Sequence, residues 1–256
     1  MVERDHRTSV ATFFAPEGFS ESGALTLGEE AAQHARVIRL APGDPVELRD
    51  GSGSAAAGSL TRIAKRSLSI KVEERWRIDA PLAVHMMVPV ADRDRMLLLA
   101  EKLTELGVTS WRPVLWRRSK SVAARGEGPT FVGRLKGRMI SALTQSGGGW
   151  LPEIHPAAPI DRAIVAAPTG TRLVLDRDGK ESIVSAAISA PVTIALGPEG
   201  GFEGVEKEEL ATAGFRAVRL IGNVLRFETA GIAALAAVRM MLDTDGHGTG
   251  SESDPQ

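Results

Sequence analysis

The sequence predicts an α/β fold, in which a mainly parallel sheet is flanked by helices and preceded by a small β-rich unit. From Leu82 onward, short apolar runs alternate with amphipathic stretches of helical period. Such alternation is typical of strand–helix units that build a parallel sheet. In residues 1–76, apolar and polar residues instead alternate singly, as they do in strands that have one buried face.

The N-terminal unit, residues 1–76, is predicted to consist of strands interrupted by one helix. Turn sequences at residues 42–44 and 50–51 separate the strands, because glycine, proline and aspartate favour turn conformations. A polar stretch, residues 73–81, is predicted to be the linker to the next domain. The predicted elements are strands at residues 12–14, 45–48 and 67–72 and a helix at residues 28–38.

Residues 82–245 are predicted to form the parallel sheet and its helices. In the helix at residues 94–107, apolar residues such as Leu99 and Leu103 form one stripe that can pack against a sheet. The helix at residues 228–242 is nearly all apolar, so it is predicted to be buried. The other predicted elements are strands at residues 84–90, 110–116, 172–175, 192–196 and 215–221 and helices at residues 131–145, 181–188 and 205–213.

The composition excludes several kinds of chemistry. The chain holds no cysteine, which excludes disulfides and thiolate nucleophiles. Its five histidines lack the spacing of metal ligands, so no metal site is predicted. No stretch has the pattern of a signal peptide or a membrane span, and a cytoplasmic location is predicted. Residues 246–256 are polar and rich in glycine and are predicted to be a disordered tail.

The net charge of −1 conceals a strongly basic segment. Residues 112–138 hold eight arginines and lysines and one acid, Glu127, whereas residues 243–256 hold four acids and neither lysine nor arginine. A basic surface of this kind can bind the phosphates of a nucleic acid. It is equally typical of a solvated helix face, so charge alone leaves both interpretations open.

Two glycine-rich loops form the candidate ligand site. Residues 197–201, Gly-Pro-Glu-Gly-Gly, follow one predicted strand, and residues 222–226 follow the next strand along the chain. Glycine lets a ligand approach the backbone closely, and ligands bind where parallel strands end. We expect one pocket built from both loops, with Glu199 and Arg226 at the ends of two neighbouring strands. A tight turn without a ligand is the alternative interpretation.

These loops and further motifs make the sequence resemble the RsmE family, the 16S ribosomal RNA (uracil-N3)-methyltransferases of the SPOUT superfamily. The resemblance covers nearly the whole chain, and the motifs are specific because they occur together in the family's order. They are Gly-Pro-Glu-Gly-Gly-Phe at residues 197–202, Leu-Arg-Phe-Glu-Thr-Ala at 225–230, Glu-Lys-x-Thr-Glu-Leu-Gly-Val at 101–108, Arg-Arg-Ser at 117–119, Gln-Ser-Gly at 145–147 followed by Leu-Pro-Glu-Ile at 151–154, and His-x-x-Val-Ile-Arg at 34–39 followed by Gly-Asp at 43–44.

The resemblance implies a particular fold and activity. Residues 82–245 would be a SPOUT methyltransferase domain with a trefoil-knotted parallel sheet, and residues 1–76 a PUA-like RNA-binding β-barrel. The enzyme would be a homodimer that uses S-adenosylmethionine (SAM) to methylate N3 of a uridine in 16S ribosomal RNA, either free or in the 30S subunit. The alternatives are a SPOUT methyltransferase with another ribosomal or transfer RNA target, and a non-enzymatic RNA-binding assembly factor.

Two positions depart from the family pattern. Thr12 stands where the family usually has an arginine before the Phe-Phe pair, and Gly148 stands where it commonly has the arginine of Glu-Gln-Ser-Gly-Arg. The chain therefore lacks two cationic groups on the side that is expected to bind RNA.

The resemblance also implies the site residues. Arg226 is the candidate catalytic residue, because a permanently charged guanidinium can stabilise the anion that forms when uracil N3 loses its proton. The expected cofactor-binding residues are Leu175, Leu196, Gly197, Pro198, Glu199, Gly200, Leu220, Ile221, Gly222, Leu225, Arg226 and Thr229. The expected RNA-binding residues are Arg36, Arg39, Arg118, Arg134, Arg138 and Gln145.

Overall fold

A computed structural model of the protein describes residues 10–19, 23–119, 128–220 and 222–246. The chain divides into two compact units. The first takes the described residues up to Ala80 together with Ile140–Leu151, and the second takes Pro81–Met139 and the described residues from Pro152 onward. Residues 140–151 were predicted to belong to the second domain, whereas in the structure they pack with the first unit.

The first unit is built on a five-stranded sheet. Its elements are β1 (Ala11–Phe14), β2 (Ala24–Leu27), α1 (Glu29–Val37), β3 (Pro45–Arg49), β4 (Ser54–Ile63) and β5 (Leu68–Arg77). The strand order is β1-β3-β4-β5-β2, with β1 parallel to β3 and the other neighbours antiparallel. Buried apolar side chains of the sheet, such as Phe13, Leu48 and Ile70, pack with Ala32 and Ala35 of α1 into one core.

The predicted strands and helix of this unit are confirmed as β1, β3, β5 and α1. The prediction of a linker from residue 73 is wrong, because β5 continues to Arg77 and Trp76 pairs with Ala55 of β4. Strand β4 was not predicted because its small residues have little β propensity. It is held between β3 and β5, and a side chain at Gly58 would place Cβ only 2.1 Å from the carbonyl oxygen of Lys71.

The second unit holds a parallel sheet and its helices. Its elements are β6 (Val84–Pro89), α2 (Arg93–Glu105), β7 (Ser110–Leu115), α3 (Pro129–Ser146, whose last residues belong to the first unit), β8 (Glu153–Ile154), β9 (Ala158–Pro159), α4 (Ile160–Val165), β10 (Thr171–Leu175), β11 (Glu181–Ser182), β12 (Val192–Ala195), α5 (Gly204–Thr212), β13 (Arg216–Arg219) and α6 (Phe227–Gly246). The strand order is β11-β13-β10-β12-β6-β7-β8, and β9 also pairs with β7. All these pairs are parallel, which confirms the predicted α/β fold.

Helices cover both faces of this sheet. On one face Gly231 of α6 allows close packing, because a Cβ there would lie 2.8 Å from Leu196 and 2.9 Å from Leu99 of α2. On the other face α4 and α5 pack Ala163 and Leu210 into a core that includes Trp116 and Phe215. No helix in the part of the chain that the structure describes is long and apolar enough to cross a membrane.

Three predictions for the second unit are wrong. The segment predicted as a helix at residues 181–188 is the short edge strand β11 followed by a 3-10 turn, because Glu181 and Ser182 pair with β13 and only Ile183 and Ala186 are buried. Strands β12 and β13 are not neighbours, since β10 lies between them. Helix α6 continues to Gly246, past its predicted end, and the remainder of the predicted tail lies outside the described residues.

Candidate functional site

A cavity of about 130 Å³ lies at the carboxyl ends of β10 and β13. Most of its wall is apolar, and polar groups come from both strand ends. It is lined by Leu175, Asp176, Arg177, Val218, Leu220, Asn223, Val224, Leu225 and Ala230. A mostly apolar cavity with a few placed polar groups, at the carboxyl edge of a parallel sheet, is typical of a small-molecule site.

Asp176 supplies the carboxylate of this cavity, and the sequence analysis did not identify it. Its Oδ2 lies 2.6 Å from Nζ of Lys207, and its Oδ1 accepts a hydrogen bond from the N–H of Asp178 at 3.0 Å. Burial raises the pKa of Asp176, but these contacts outweigh burial and hold the pKa below its ordinary value. The side chain is therefore ionised at neutral pH and can accept hydrogen bonds from ligand hydroxyl groups.

The first glycine-rich loop follows β12 and does not line this cavity. A side chain at Gly197 would place Cβ 2.9 Å from the ring of Phe202, whose edge packs on Trp116 at 4.9 Å between ring centroids. Gly201 has a φ of 71°, a conformation that costs glycine little and other residues more. The loop is thus shaped by its packing at the end of β12.

Arg118 holds this loop. It belongs to a 3-10 turn, Arg117–Ser119, that follows β7. Its Nη1 donates a hydrogen bond to the carbonyl of Gly200, and its Nε lies 4.0 Å from a carboxylate oxygen of Glu203. In the structure this predicted RNA-binding residue therefore contacts the first glycine-rich loop.

The carboxylate of Glu206 holds the end of the first glycine-rich loop through hydrogen bonds. Its side chain is completely buried. Oε1 accepts a hydrogen bond from the N–H of Arg117 at 2.7 Å, and Oε2 accepts one from the N–H of Glu203 at 2.7 Å. Glu203 and Glu206 form a capping box that starts α5. One carboxylate thus joins the loop, the helix and the turn after β7.

A second group of charges lies where α2 and α6 begin. Arg95 of α2 hydrogen-bonds Glu199 of the first loop, and its Nε lies 3.8 Å from Oε1 of Glu228 in α6. Glu228 is buried, and its Oε2 has no hydrogen-bond partner among the described residues. Asp92 sets the start of α2 by accepting a hydrogen bond from the N–H of Arg95 at 3.1 Å. Arg95 and Glu228 were not predicted as site residues.

The structure brings together only part of the expected cofactor site. Leu175, Leu220 and Leu225 line the cavity, whereas Leu196 packs in the core beneath Gly231. The other expected residues of the second loop, which are Gly222, Arg226 and Thr229, are exposed. Ile221 lies outside the described residues.

The expected RNA-binding residues are divided between the two units. Arg36, Arg39 and Gln145 belong to the first unit, and Arg118, Arg134 and Arg138 to the second. Arg134 and Arg138 lie on the exposed side of α3, and Nη1 of Arg138 lies 3.3 Å from Glu101. No cluster of His, Asp or Glu side chains that could hold a metal ion occurs within the described residues.

A larger groove of about 480 Å³ lies between α4 and α5, away from the strand ends. It carries three carboxylates, those of Asp161, Glu208 and Glu209. This charge repels a polyanion, and neither glycine-rich loop contributes to the groove. We therefore assign the candidate site to the smaller cavity at the ends of β10 and β13.

A parallel α/β sheet with a mainly apolar cavity at its carboxyl edge is the arrangement of α/β proteins that bind a small molecule at the ends of their strands. The chain belongs to the RNA methyltransferase domain family, whose model matches residues 79–239. The matched region includes β6 to α6 up to Arg239, and so it contains the cavity and both glycine-rich loops.

Comparison with individual proteins refines this assignment. The ribosomal RNA small subunit methyltransferase E of Mycobacterium bovis is 29% identical over 247 residues, which cover 91% of this chain and 92% of the relative. The enzyme of the same name from Rickettsia conorii is 28% identical over 214 residues, covering 80% of this chain and 84% of the relative. These matches confirm the predicted relationship to the RsmE family.

The solved structures agree with these relatives. The crystal structure of a ribosomal RNA small subunit methyltransferase E from Neisseria gonorrhoeae, bound to S-adenosyl methionine, has a TM-score of 0.82 at 28% identity. The similarity covers 91% of this chain and 98% of that chain. A probable rRNA-methyltransferase from Porphyromonas gingivalis has a TM-score of 0.78 at 27% identity and covers 92% of this chain and 100% of that chain.

Proposed function

We propose that the protein is a SAM-dependent methyltransferase that modifies N3 of a specific uridine in 16S ribosomal RNA. The cavity at the ends of β10 and β13 is the observation that carries this proposal, because it lies in the region that matches the RNA methyltransferase domain. The relatives named above act on small-subunit ribosomal RNA, and one of their structures is bound to SAM. The uracil N3 position comes from the resemblance of the motifs.

The lining of the cavity offers the kinds of contact that an adenosine moiety makes. Leu175, Val218 and Leu225 offer apolar walls for a flat ring, and the ionised Asp176 can accept hydrogen bonds from ribose hydroxyl groups. The proposed cofactor-binding residues are Leu175, Leu220 and Leu225 of the expected set, which line the cavity, together with Asp176, Asn223 and Ala230. When bound, SAM would supply an electrophilic methyl group.

Arg226 remains the proposed catalytic residue. It lies between Leu225, which lines the cavity, and Phe227, which starts α6, and its side chain is exposed. Uracil N3 carries a proton at neutral pH, so methylation needs a group that stabilises the anion. A guanidinium on the residue next to a cavity-lining leucine could donate two hydrogen bonds to a uracil oxygen as negative charge develops there.

Arg95 and Glu228 are proposed to position this arrangement. A buried carboxylate without a donor is unfavourable by about 1–3 kcal/mol, and Arg95 is the cation that lies beside Glu228. Since Glu228 follows Arg226 by two residues in the first turn of α6, its anchoring fixes the start of the helix. The backbone that carries Arg226 is fixed with it.

We propose the finer features of the fold, the homodimer and the location from the resemblance to the RsmE family. The first unit would be a PUA-like RNA-binding barrel, which its sheet of five paired strands and its cations Arg36 and Arg39 support. The second unit would contain the trefoil knot of SPOUT enzymes. The homodimer is proposed on the family resemblance, and Met240 of α6, which is 67% exposed, is an apolar side chain that a partner could cover. The location would be the cytoplasm, where the ribosomal RNA substrate is made.

The proposed RNA contacts are electrostatic and lie in both units. Arg36, Arg39 and Gln145 in the first unit and Arg118, Arg134 and Arg138 in the second would contact the RNA backbone. Contacts of this kind position an RNA without reading its sequence, and they make binding depend steeply on salt concentration.

The proposal is tested by incubating the full chain with labelled SAM and small-subunit ribosomal RNA, followed by nucleoside mass spectrometry. The expected product is 3-methyluridine at one position. Transfer to a different atom or base would refute the N3 assignment. The absence of transfer to free RNA and to assembled 30S subunits alike would refute the enzyme itself.

A further inference from the structure

We propose that the end of α1, formed by Val37, Ile38 and Arg39 and called the α1 tip, is a contact for unstacked bases of the RNA substrate. The inference rests on the proposed function and extends it, because it assigns a base contact to a unit for which only backbone contacts were expected. It is drawn from a strained backbone, two exposed apolar side chains and the charges around them.

The backbone of the α1 tip is strained at Arg39. The N–H of Arg39 donates to the carbonyl of Arg36 at 3.1 Å, and the N–H of Leu40 donates to the carbonyl of Ala35 at 2.9 Å. These two bonds form the Schellman motif, in which the residue after the helix end adopts the left-handed conformation and is usually glycine. Arg39 has a φ of 60° and is the one non-glycine residue with positive φ in the described part of the chain.

The strained backbone at Arg39 points to a role for its side chain, because folding does not require an arginine at this position. Glycine would adopt the same conformation without a steric cost. Strained residues of other types concentrate at sites of ligand contact, where the side chain has a use that offsets the strain. The side chain of Arg39, rather than its backbone, is therefore the feature that needs an explanation.

Val37 and Ile38 make the tip apolar as well as charged. Val37 is 71% exposed and Ile38 is 41% exposed, whereas Ala32 and Ala35 of the same helix are buried. A single exposed apolar residue is common on protein surfaces. Two adjacent branched side chains beside a strained arginine form a small apolar surface whose position the helix end fixes.

The surroundings of the tip are mainly basic. Nη1 of Arg36 donates to the carbonyls of Ala64 at 2.7 Å and Lys65 at 3.3 Å, which places the β4–β5 turn beside the end of α1. Lys65 and Arg66 of that turn are exposed. Among the acids nearby, Glu29 at the opposite end of α1 lies 3.8 Å from Nε of Arg66, and Oδ2 of Asp44 accepts a hydrogen bond from the N–H of Ala41 at 2.7 Å. The tip is therefore complementary to a polyanion.

Unstacked RNA combines the features that this surface can bind. Its phosphates pair with arginine and lysine, and its splayed bases expose flat faces that branched side chains can cover. A base that reacts at N3 must be unpaired, because N3 lies on the Watson–Crick edge. RNA is favoured over a protein partner because the basic side chains around the tip match the phosphates of a nucleic acid.

The test measures binding of the full chain to a synthetic RNA hairpin with an unpaired uridine-containing loop, and to a fully paired duplex of equal length, over a series of salt concentrations. Val37→Ser should weaken hairpin binding about fivefold, the effect of exposing one small apolar contact, with the salt dependence unchanged and duplex binding unaffected. The matched control is Val165→Ser, because Val165 is also the last residue of its helix and is 85% exposed.

The charged half of the tip is tested separately. Arg39→Gly should reduce the slope of log affinity against log salt by about one, while the variant melts no lower than the wild-type protein. Arg39→Lys should restore the slope. Equal affinity of the Val37→Ser and Val165→Ser variants for the hairpin would overturn the proposal. A Val37→Ser binding defect that appears with assembled 30S subunits but not with the protein-free hairpin would also overturn it.

Titration of each tip variant with SAM separates this proposal from the one on which it rests. Unchanged SAM affinity with weaker hairpin binding supports the α1 tip as an RNA contact. Failure of the wild-type protein to bind SAM or to methylate RNA refutes the proposed function, whereas wild-type methylation with unchanged hairpin binding in both tip variants refutes the α1 tip alone.

Discussion

Replacement of Glu206 tests how the first glycine-rich loop is held. The carboxylate of Glu206 is completely buried and accepts hydrogen bonds from the backbone N–H groups of Arg117 and Glu203, each at 2.7 Å. Glu206→Ala leaves both partly buried donors without their carboxylate partner and removes the capping box of α5. Glu206→Gln keeps one acceptor oxygen and turns an NH₂ group toward the other donor.

The magnitude follows from these two bonds. A hydrogen bond to a charged group contributes about 1.5–3 kcal/mol, so the loss of both bonds should lower the free energy of unfolding by about 3–6 kcal/mol in Glu206→Ala. Loss of one bond in Glu206→Gln should cost about half as much. Since domains are stable by about 5–15 kcal/mol, the alanine variant should be marginally folded and the glutamine variant clearly folded.

Urea denaturation followed by circular dichroism measures these differences. Glu208→Ala is the matched control, because Glu208 lies in the same helix with an exposed side chain; surface substitutions usually change stability by less than about 0.5 kcal/mol. The expected order of destabilisation is Glu206→Ala, then Glu206→Gln, then Glu208→Ala. Equal stability of the Glu206→Ala and Glu208→Ala variants would refute the role given to the buried carboxylate.

Three further predictions concern the second unit. Arg226→Ala should lower turnover about 10²–10³-fold, the usual effect of removing a group that stabilises developing charge, with SAM affinity nearly unchanged. Arg239→Ala should lower the free energy of unfolding by about 2–4 kcal/mol, because Arg239 donates to the carbonyls of Leu82, Leu106 and Gly107. Burial and neighbouring cations lower the pKa of both His85 and His155, so the folded state binds fewer protons than the unfolded state, and stability should fall as the pH drops below about 6.5.

Each of these predictions has a measurement that can contradict it. Arg226→Ala is measured by steady-state kinetics and by titration with SAM. A parallel fall in turnover and in SAM affinity would contradict the catalytic role of Arg226. A thermal melt of Arg239→Ala that coincides with wild type would contradict its anchoring role. For the histidines, the double variant His85→Gln/His155→Gln should flatten the decline of stability below pH 6.5, and an unchanged decline would assign it to other groups.

The alternation of strands and helices was sufficient to predict the parallel sheet, because apolar runs of β6, β7, β10 and β12 are short and bounded by turn residues. Strand order was not predictable in the same way. Chain order suggested that β12 and β13 are neighbours, whereas β10, which precedes both, lies between them. Strand pairing depends on tertiary packing that a single sequence does not encode locally.

The same reason limits the prediction of the site. Leu175, Leu220 and Leu225 could be named in advance, because the resemblance to the RsmE family implies them as cofactor-binding residues. Asp176 and Asn223 could not, because they become wall residues only when the ends of β10 and β13 come together. Similarly, the position of Arg95 beside Glu228 depends on the packing of α2 against α6, and no periodicity in either helix signals that contact.

Calorimetric titration with SAM and with S-adenosylhomocysteine tests the central claim most directly. Wild-type protein is compared with Ala230→Leu, which would fill the cavity that Ala230 lines, and with the control Ala211→Leu on the exposed side of α5. The account predicts micromolar binding by the wild type and the control and a loss of binding in Ala230→Leu. No binding by the folded wild-type protein, or wild-type affinity in Ala230→Leu, would contradict the assignment of the cavity to the cofactor.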